Sequence, residues 1–142
     1  DNFSYQLIDS NGALSEEKLA VVSVTGVNES ITGSASNDTL NGTVYADTIN
    51  GLTGDDTLFG DIGDDLFVFS IGDGADIITD FLAGEGSDDR IDLTAFGFAP
   101  EHDVLAMVSQ VGADAIVNLG GGDQITLIGV NTDYLHVDDF LL

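Results

Sequence analysis

GSASNDTLN (33–41), GTVYADTIN (42–50), GLTGDDTLF (51–59) and GDIGDDLFV (60–68) stand end to end, four nine-residue units that share one pattern. Each has Gly first, Asp sixth and a large apolar residue eighth: Asp38 with Leu40, Asp47 with Ile49, Asp56 with Leu58 and Asp65 with Phe67. A fifth unit, IGDGADIIT (71–79), follows two inserted residues and keeps Gly72, Gly74, Asp76 and Ile78. A short fixed period marks stacked repeats, in which no unit can bury its one apolar side chain alone. Nine residues hold a six-residue turn and a three-residue strand, so the spacing predicts an all-β chain built by stacking.

The charge says what the stack must accommodate. Among 142 residues, 26 are acidic and two, Lys18 and Arg90, are basic, for a net charge of −24. Self-repulsion on that scale opposes compaction unless something positive binds. Nucleic acid and anionic membranes are excluded as partners, because both are bound through Lys and Arg clusters that this chain lacks. A cation is the partner the charge implies. With no cysteine there is neither a disulfide framework nor a thiolate site. Hard oxygen ligands remain, and these suit calcium, magnesium or manganese rather than zinc or copper. No apolar run reaches the roughly 18 residues of a membrane span, so no membrane insertion is expected. The opening DNFSYQL has neither the basic nor the apolar region of a signal peptide, and it reads as a start inside a longer parent protein, of which this is a monomeric module.

GLTGDDTLFGDIGDDLFVFSIGDGADIITDF (51–81) resembles the GGxGxDxUx array of the RTX (repeats-in-toxin) family, and the resemblance runs from Ile31 to the end of the chain. It implies a right-handed parallel β-roll with an antiparallel C-terminal cap. Two nonapeptides make one coil, and calcium lies between turns one coil apart. Strands on successive coils sit about 4.8 Å apart, and calcium prefers oxygens at about 2.4 Å. An ion midway can therefore take a carboxylate from each coil. Residues 18 apart become coil neighbours, which pairs Asp38 with Asp56 and Asp47 with Asp65, and across the insertion Asp56 with Asp76. Carbonyls of the glycine turns, at Gly51, Gly54, Gly60, Gly63, Gly72 and Gly74, would complete each shell. Asp80 and Asp89 are candidates for a further ion; Gly84, Asp89 and Ile91 keep first, sixth and eighth positions in a degenerate sixth unit. The alternative for the array aspartates is capping of β-turns, and for Asp80, Asp89 and Asp92, the last also a candidate for the further ion, it is that they are solvated acids.

The early units depart from the pattern. Their second positions are Ser34, Thr43, Leu52 and Asp61 rather than Gly, and the fourth positions of the first two are Ser36 and Tyr45. Positive φ strains a residue other than Gly, so the expectation is a loose start and a well-formed Asp56/Asp76 site, whose second turn carries Gly72 and Gly74.

The flanks divide the chain at about residue 30. In residues 1–30, Phe3, Tyr5 and Leu7 alternate with polar residues before the turn cluster 9–12, and Val22 and Val24 resume the alternation. This predicts a hairpin. It resembles the closing strands of the immunoglobulin-like or cadherin-like repeats of very long bacterial surface proteins, and here it could instead cap the first coil. Beyond the array, 104–111, 115–119 and 125–130 predict an antiparallel meander turning at Gly120-Gly121-Gly122-Asp123. A hairpin turn fits those glycines better than a phosphate loop, which would need a lysine and a following helix. Arg90 is expected to pair with Asp88, Asp89 or Asp92, and His102 and His136 are isolated. The last four residues, Asp139, Phe140, Leu141 and Leu142, resemble the C-terminal signal of type I secretion substrates, which implies the exporter as a partner. Neither an H-E-x-x-H nor a G-x-S-x-G motif is present, so no catalysis is expected in these residues. The resemblances together imply a calcium-binding module of a secreted bacterial surface adhesin, with the non-catalytic module of a secreted metalloprotease, lipase or alginate epimerase as the alternative.

Overall fold

The computed structural model describes residues 2–5, 18–21, 27–84, 89–99 and 103–142, the first two stretches as backbone only. Thirteen strands appear there in chain order: β1 (Asn2–Tyr5), β2 (Lys18–Val21), β3 (Ser30–Thr32), β4 (Thr39–Asn41), β5 (Thr48–Asn50), β6 (Thr57–Phe59), β7 (Leu66–Val68), β8 (Ala75–Ile78), β9 (Arg90–Asp92), β10 (Val108–Val111), β11 (Asp114–Gly120), β12 (Asp123–Leu127) and β13 (Phe140–Leu141). Each repeat strand spans the seventh to ninth positions of its unit, so only the eighth residue can point inward, as alternation along a strand requires. In β4, β5, β6 and β7 that residue is Leu40, Ile49, Leu58 or Phe67, and all four are buried.

Consecutive strands fall on opposite sheets, which makes each pair of units one coil. One sheet runs β13-β9-β7-β5-β3 and the other β10-β11-β12-β8-β6-β4. Pairing is parallel and in the 18-residue register: Ile31 opposite Ile49, Leu40 opposite Leu58, Ile49 opposite Phe67. Across the insertion Leu58 stays opposite Ile78, and across the longer segment before β9 Phe67 stays opposite Ile91. The extra residues bulge at the turns because a slip by one position would turn every apolar side chain outward. Two apolar columns result. Ile31, Ile49, Phe67, Ile91 and Phe140 face Leu40, Leu58, Ile78 and Leu127 across the roll.

The meander is present but is more than a lid. Strand β11 runs antiparallel to both β10 and β12, while β12 pairs parallel with β8 and so adds a coil to that sheet. On the other sheet β13 pairs parallel with β9. The C-terminal segment therefore extends both ladders and covers an edge that would otherwise be open to pairing. One expectation is corrected here. Residues 104–107 form a 3-10 turn, not the first half of a strand. The last four residues are built into the cap, with Phe140 buried at the end of an apolar column.

At the other end the array starts earlier than Ile31. Val27 to Thr32 form the end of a preceding unit with Glu29 sixth and Ile31 eighth, and Thr48 N–H donates to the Glu29 carbonyl as Thr57 N–H does to Asp38. Strands β1 and β2 pair antiparallel as a hairpin, Asn2 opposite Val21. They form a sheet of their own and join neither ladder of the roll. The second strand begins at Lys18, before Val22 and Val24; those two, Leu7 and the turn cluster lie outside the described residues, as do His102 and Asp88, the neighbour expected to pair with Arg90. The Arg90 and His136 side chains are exposed.

Candidate metal centre

The sixth-position aspartates form two columns, one on each edge of the roll, and each carboxylate reaches back one coil. Asp56 Oδ1 accepts from the Asp38 N–H at 2.7 Å and Asp76 Oδ1 from the Asp56 N–H at 2.9 Å. On the other edge Asp47 Oδ1 accepts from Glu29 at 2.6 Å, Asp65 Oδ1 from Asp47 at 2.8 Å, and Asp89 Oδ1 from Asp65 at 3.1 Å. The pairs 38/56, 47/65 and 56/76 are thus coil neighbours, as the 18-residue spacing predicts. On the first edge a second stitch runs the opposite way. Asn37 Oδ1 accepts from the Asp55 N–H and Asp55 Oδ1 from the Ala75 N–H, both at 3.0 Å.

The second oxygen of each carboxylate points into its own turn, and there the units differ. Asp38 Oδ2 accepts from the Ser34 N–H at 2.6 Å and its hydroxyl at 2.8 Å. Asp47 Oδ2 accepts from the Thr43 N–H at 2.5 Å and its hydroxyl at 2.9 Å. Asp56 Oδ2 and Asp65 Oδ2 are buried with no hydrogen-bond partner, and both residues are only 1% exposed. A buried carboxylate oxygen without a donor is costly, and in an acceptor-only group a cation is a partner that can satisfy it. The expectation of loose early turns is corrected: the first two turns are closed by their own hydroxyls. Among the described residues the left-handed non-glycine ones are instead Leu52 (φ 68) and Asp61 (φ 73), in the two turns whose carboxylates have an oxygen without a partner.

Glycine is required where backbone and carboxylate crowd the same gap. A Cβ on Gly51 would fall on Asp56 Oδ2 and one on Gly60 on Asp65 Oδ2, while on Gly33, Gly42 and Gly74 it would fall on the carbonyls of Gly51, Gly60 and Gly54 one coil away. These carbonyls therefore face the space between coils, those of Gly51 and Gly60 on the side of Asp38 Oδ2 and Asp47 Oδ2 and that of Gly54 on the side of Asp55 Oδ1. Among the described residues no three acidic or histidine side chains are grouped to hold a metal on their own. Main-chain carbonyls must supply the rest of a shell, which is a donor set of the kind calcium takes.

Electrostatics marks the same residues. Burial pushes the Asp65 carboxyl up to about 7; the Asp47 N–H opposes this, and the charges of Asp89, Asp47 and Asp80 add to it. Burial likewise raises Asp76 to about 7 against the pull of the Asp56 N–H, with Asp56, Asp73 and Asp55 contributing. Asp56 is raised chiefly by burial, and so is Asp73, which also feels Asp123.

The remaining candidates sit apart from this pattern. Asp80 accepts from Gly60 N–H at 3.0 Å and Asp61 N–H at 2.7 Å, and Asp89 Oδ2 accepts from Leu82 N–H at 2.9 Å. With Asp61 and Asp64 these two line an open cavity of about 340 Å³, but each of their four oxygens already receives an N–H. Gly63 and Gly72 are left-handed glycines of the turns, with φ 152 and 92. Buried Asp139 accepts from Gly84 at 3.4 Å and from His136 at 2.8 Å. Asp123, read from sequence as a turn residue, is buried and accepts from the Gly72 N–H at 2.9 Å and the Gly74 N–H at 3.2 Å. In the ladder Ile125 stands opposite Asp76 and Leu127 opposite Ile78, so Asp123 is no sixth-position residue and the nine-residue spacing carried no signal for it.

Comparison with known proteins finds the same kind of repeat. The family described as RTX calcium-binding nonapeptide repeat (4 copies) matches residues 25–43, 32–67 and 42–78. Two endo-1,3-1,4-beta-glycanases of Rhizobium meliloti (strain 1021), EglC and ExsH, are 36% and 34% identical over 69 residues, 49% of this chain. The chain spans only 14% of their length. The crystal structure of the extracellular lipase LipA from Serratia marcescens superposes with a TM-score of 0.59 at 21% identity, covering 99% of this chain and 26% of that one, and so shares the fold. Residues 25–78 carry RTX calcium-binding nonapeptide repeats, and calcium is the ion such repeats bind.

Proposed function

We propose that this chain is a calcium-operated folding module of a longer exported protein, itself without catalytic activity. The observation that carries the reading is the pair of buried, partnerless oxygens on Asp56 and Asp65 in a chain of net charge −24. Without a cation, closing the coils brings those carboxylates together at a cost in desolvation and repulsion. Bound calcium neutralises them. Extracellular modules of this kind bind calcium at about 10⁻⁴–10⁻³ M. The array therefore stays extended and threadable inside a cell and closes outside, each independent site contributing about 2.7 kcal/mol at a hundredfold excess of ion. Type I export is the route that uses such a difference, with folding outside opposing return through the exporter and Asp139–Leu142 serving as its signal.

The parent we favour is a bacterial surface adhesin, on the strength of the hairpin in residues 1–30 and its likeness to surface-protein repeats. The second reading, an accessory module of a secreted enzyme, is favoured by the two glycanase relatives and the lipase fold. Both readings share the calcium step. It is tested by circular dichroism during titration of the calcium-free chain: β-structure and thermal midpoint rise together at millimolar calcium. Indifference of both to calcium and chelator would sink the proposal.

A further inference from the structure

The amide of the second residue in each unit has two destinations. In the first two units it donates to the unit's own aspartate, with the side-chain hydroxyl beside it: Ser34 to Asp38 and Thr43 to Asp47. In the next three it is drawn away. Leu52 N–H donates to Asn50 Oδ1 at 2.9 Å, Asp61 N–H to Asp80 Oδ2 at 2.7 Å, and Gly72 N–H to Asp123 Oδ2 at 2.9 Å. Those three residues have positive φ, at 68, 73 and 92, whereas Ser34 and Thr43 do not. Left-handed Leu and Asp are strained and persist only where their surroundings enforce them.

The second and third units supply an internal control. Asn41 precedes Thr43 by two residues as Asn50 precedes Leu52, yet the Thr43 amide binds Asp47 and the Leu52 amide binds Asn50. An asparagine at that place is therefore not sufficient. The two units differ at the second residue, where threonine brings a hydroxyl to the carboxylate and leucine brings nothing, and at the fourth, where Tyr45 stands against left-handed Gly54.

We propose that the second residue of each unit decides whether its turn takes calcium. Ser34 and Thr43 fill the ion's place at Asp38 and Asp47 with their own N–H and O–H, so the turns that take calcium start at Asp56. Asn50 and Asp80 are positioning residues that hold the amides of Leu52 and Asp61 away from Asp56 Oδ2 and Asp65 Oδ2. Asp80 thus serves a calcium turn without being its ligand. The inference rests on the reading that the open turns bind calcium, and it adds which turns they are.

Counting calcium bound to the full chain by native mass spectrometry, with chelator melts in parallel, tests it. Leu52→Thr closes the third turn and is expected to bind one ion fewer than wild type. Thr43→Gly opens the second and is expected to bind one more. Asn50→Ala frees the Leu52 amide and is expected to weaken one site roughly tenfold, the scale of losing a supporting partner, with no change in the chelator melt. An unchanged count in Leu52→Thr overturns the proposal, and that variant decides alone if Thr43→Gly does not fold. A chelator melt lowered in Asn50→Ala with calcium affinity intact makes Asn50 merely structural. A wild-type chain that binds no calcium defeats the underlying reading instead.

Discussion

The turn of the second unit and the turn of the fourth lie on the same edge of the roll, one coil apart, joined by the Asp47 N–H on Asp65. Their aspartates are equally buried. Yet Asp47 Oδ2 has two donors and Asp65 Oδ2 has none. One period in the sequence thus contains two chemistries, a turn complete in itself and a turn that needs an ion. The shared geometry of the coil comes from the first and eighth positions, whereas the donors to the second carboxylate oxygen come from the residue at the second position.

Replacing the two aspartates should separate these chemistries most sharply. Asp65→Ala orphans the Asp47 N–H, a cost of about 1–3 kcal/mol, and in saturating calcium also forfeits about 2.7 kcal/mol of binding. Its loss of stability in denaturant melts is therefore larger with calcium than with chelator. Asp47→Ala also removes a network of N–H acceptors but no ion, so its loss should be the same in both conditions. Equal calcium dependence of the two variants would erase the distinction.

Acidity offers a second separation. Asp65 and Asp76 are raised to about 7 by burial, from an unfolded value near 3.8. A carboxyl raised on folding takes up a proton when the chain folds, so its contribution is fully present below the unfolded value and is lost as pH climbs through the folded one. Chelated protein should melt highest near pH 4 and progressively lower towards pH 7–8, by this linkage. In calcium the trend should reverse, because protons compete with the ion for the same oxygens. Asp65→Asn with Asp76→Asn should flatten the chelator slope, and a slope that survives in the double variant would assign it to other carboxyls.

The smallest expected change is at Thr43. Thr43→Val keeps the shape and removes one hydroxyl bond to a carboxylate, costing about 1.5–3 kcal/mol in chelator melts. The same exchange at Thr57, whose side chain lies outside the turn on β6, should cost little. Similar losses at both would mean that the hydroxyl cap has no special place in the early coil.

Much of this was readable in the chain. Period nine places Leu40, Ile49, Leu58 and Phe67 inside because a three-residue strand presents only its middle side chain to one face. The 18-residue register came with the resemblance to RTX arrays, which implies two nonapeptides to a coil, and the pairing of Leu40 with Leu58 agrees with it. Glu29 was missed as a sixth-position residue because a glutamate replaces the aspartate there. Phe140 and Leu127 were missed as members of the apolar columns because they join them from the far end of the chain, through a cap whose sequence has no period.

By itself, then, the sequence determined which side chains face inward and that a hard cation is the partner to expect, because these depend on local spacing and on total charge, while the two-unit coil was implied by the resemblance. Only the tertiary structure decided which carboxylate oxygens are left without a donor. That choice depends on where the Ser34, Thr43, Leu52, Asp61 and Gly72 amides turn. In two cases the acceptor that draws the amide away, Asp80 or Asp123, arrives from a later coil. A hydrogen bond set across coils has no counterpart in the spacing of any one unit.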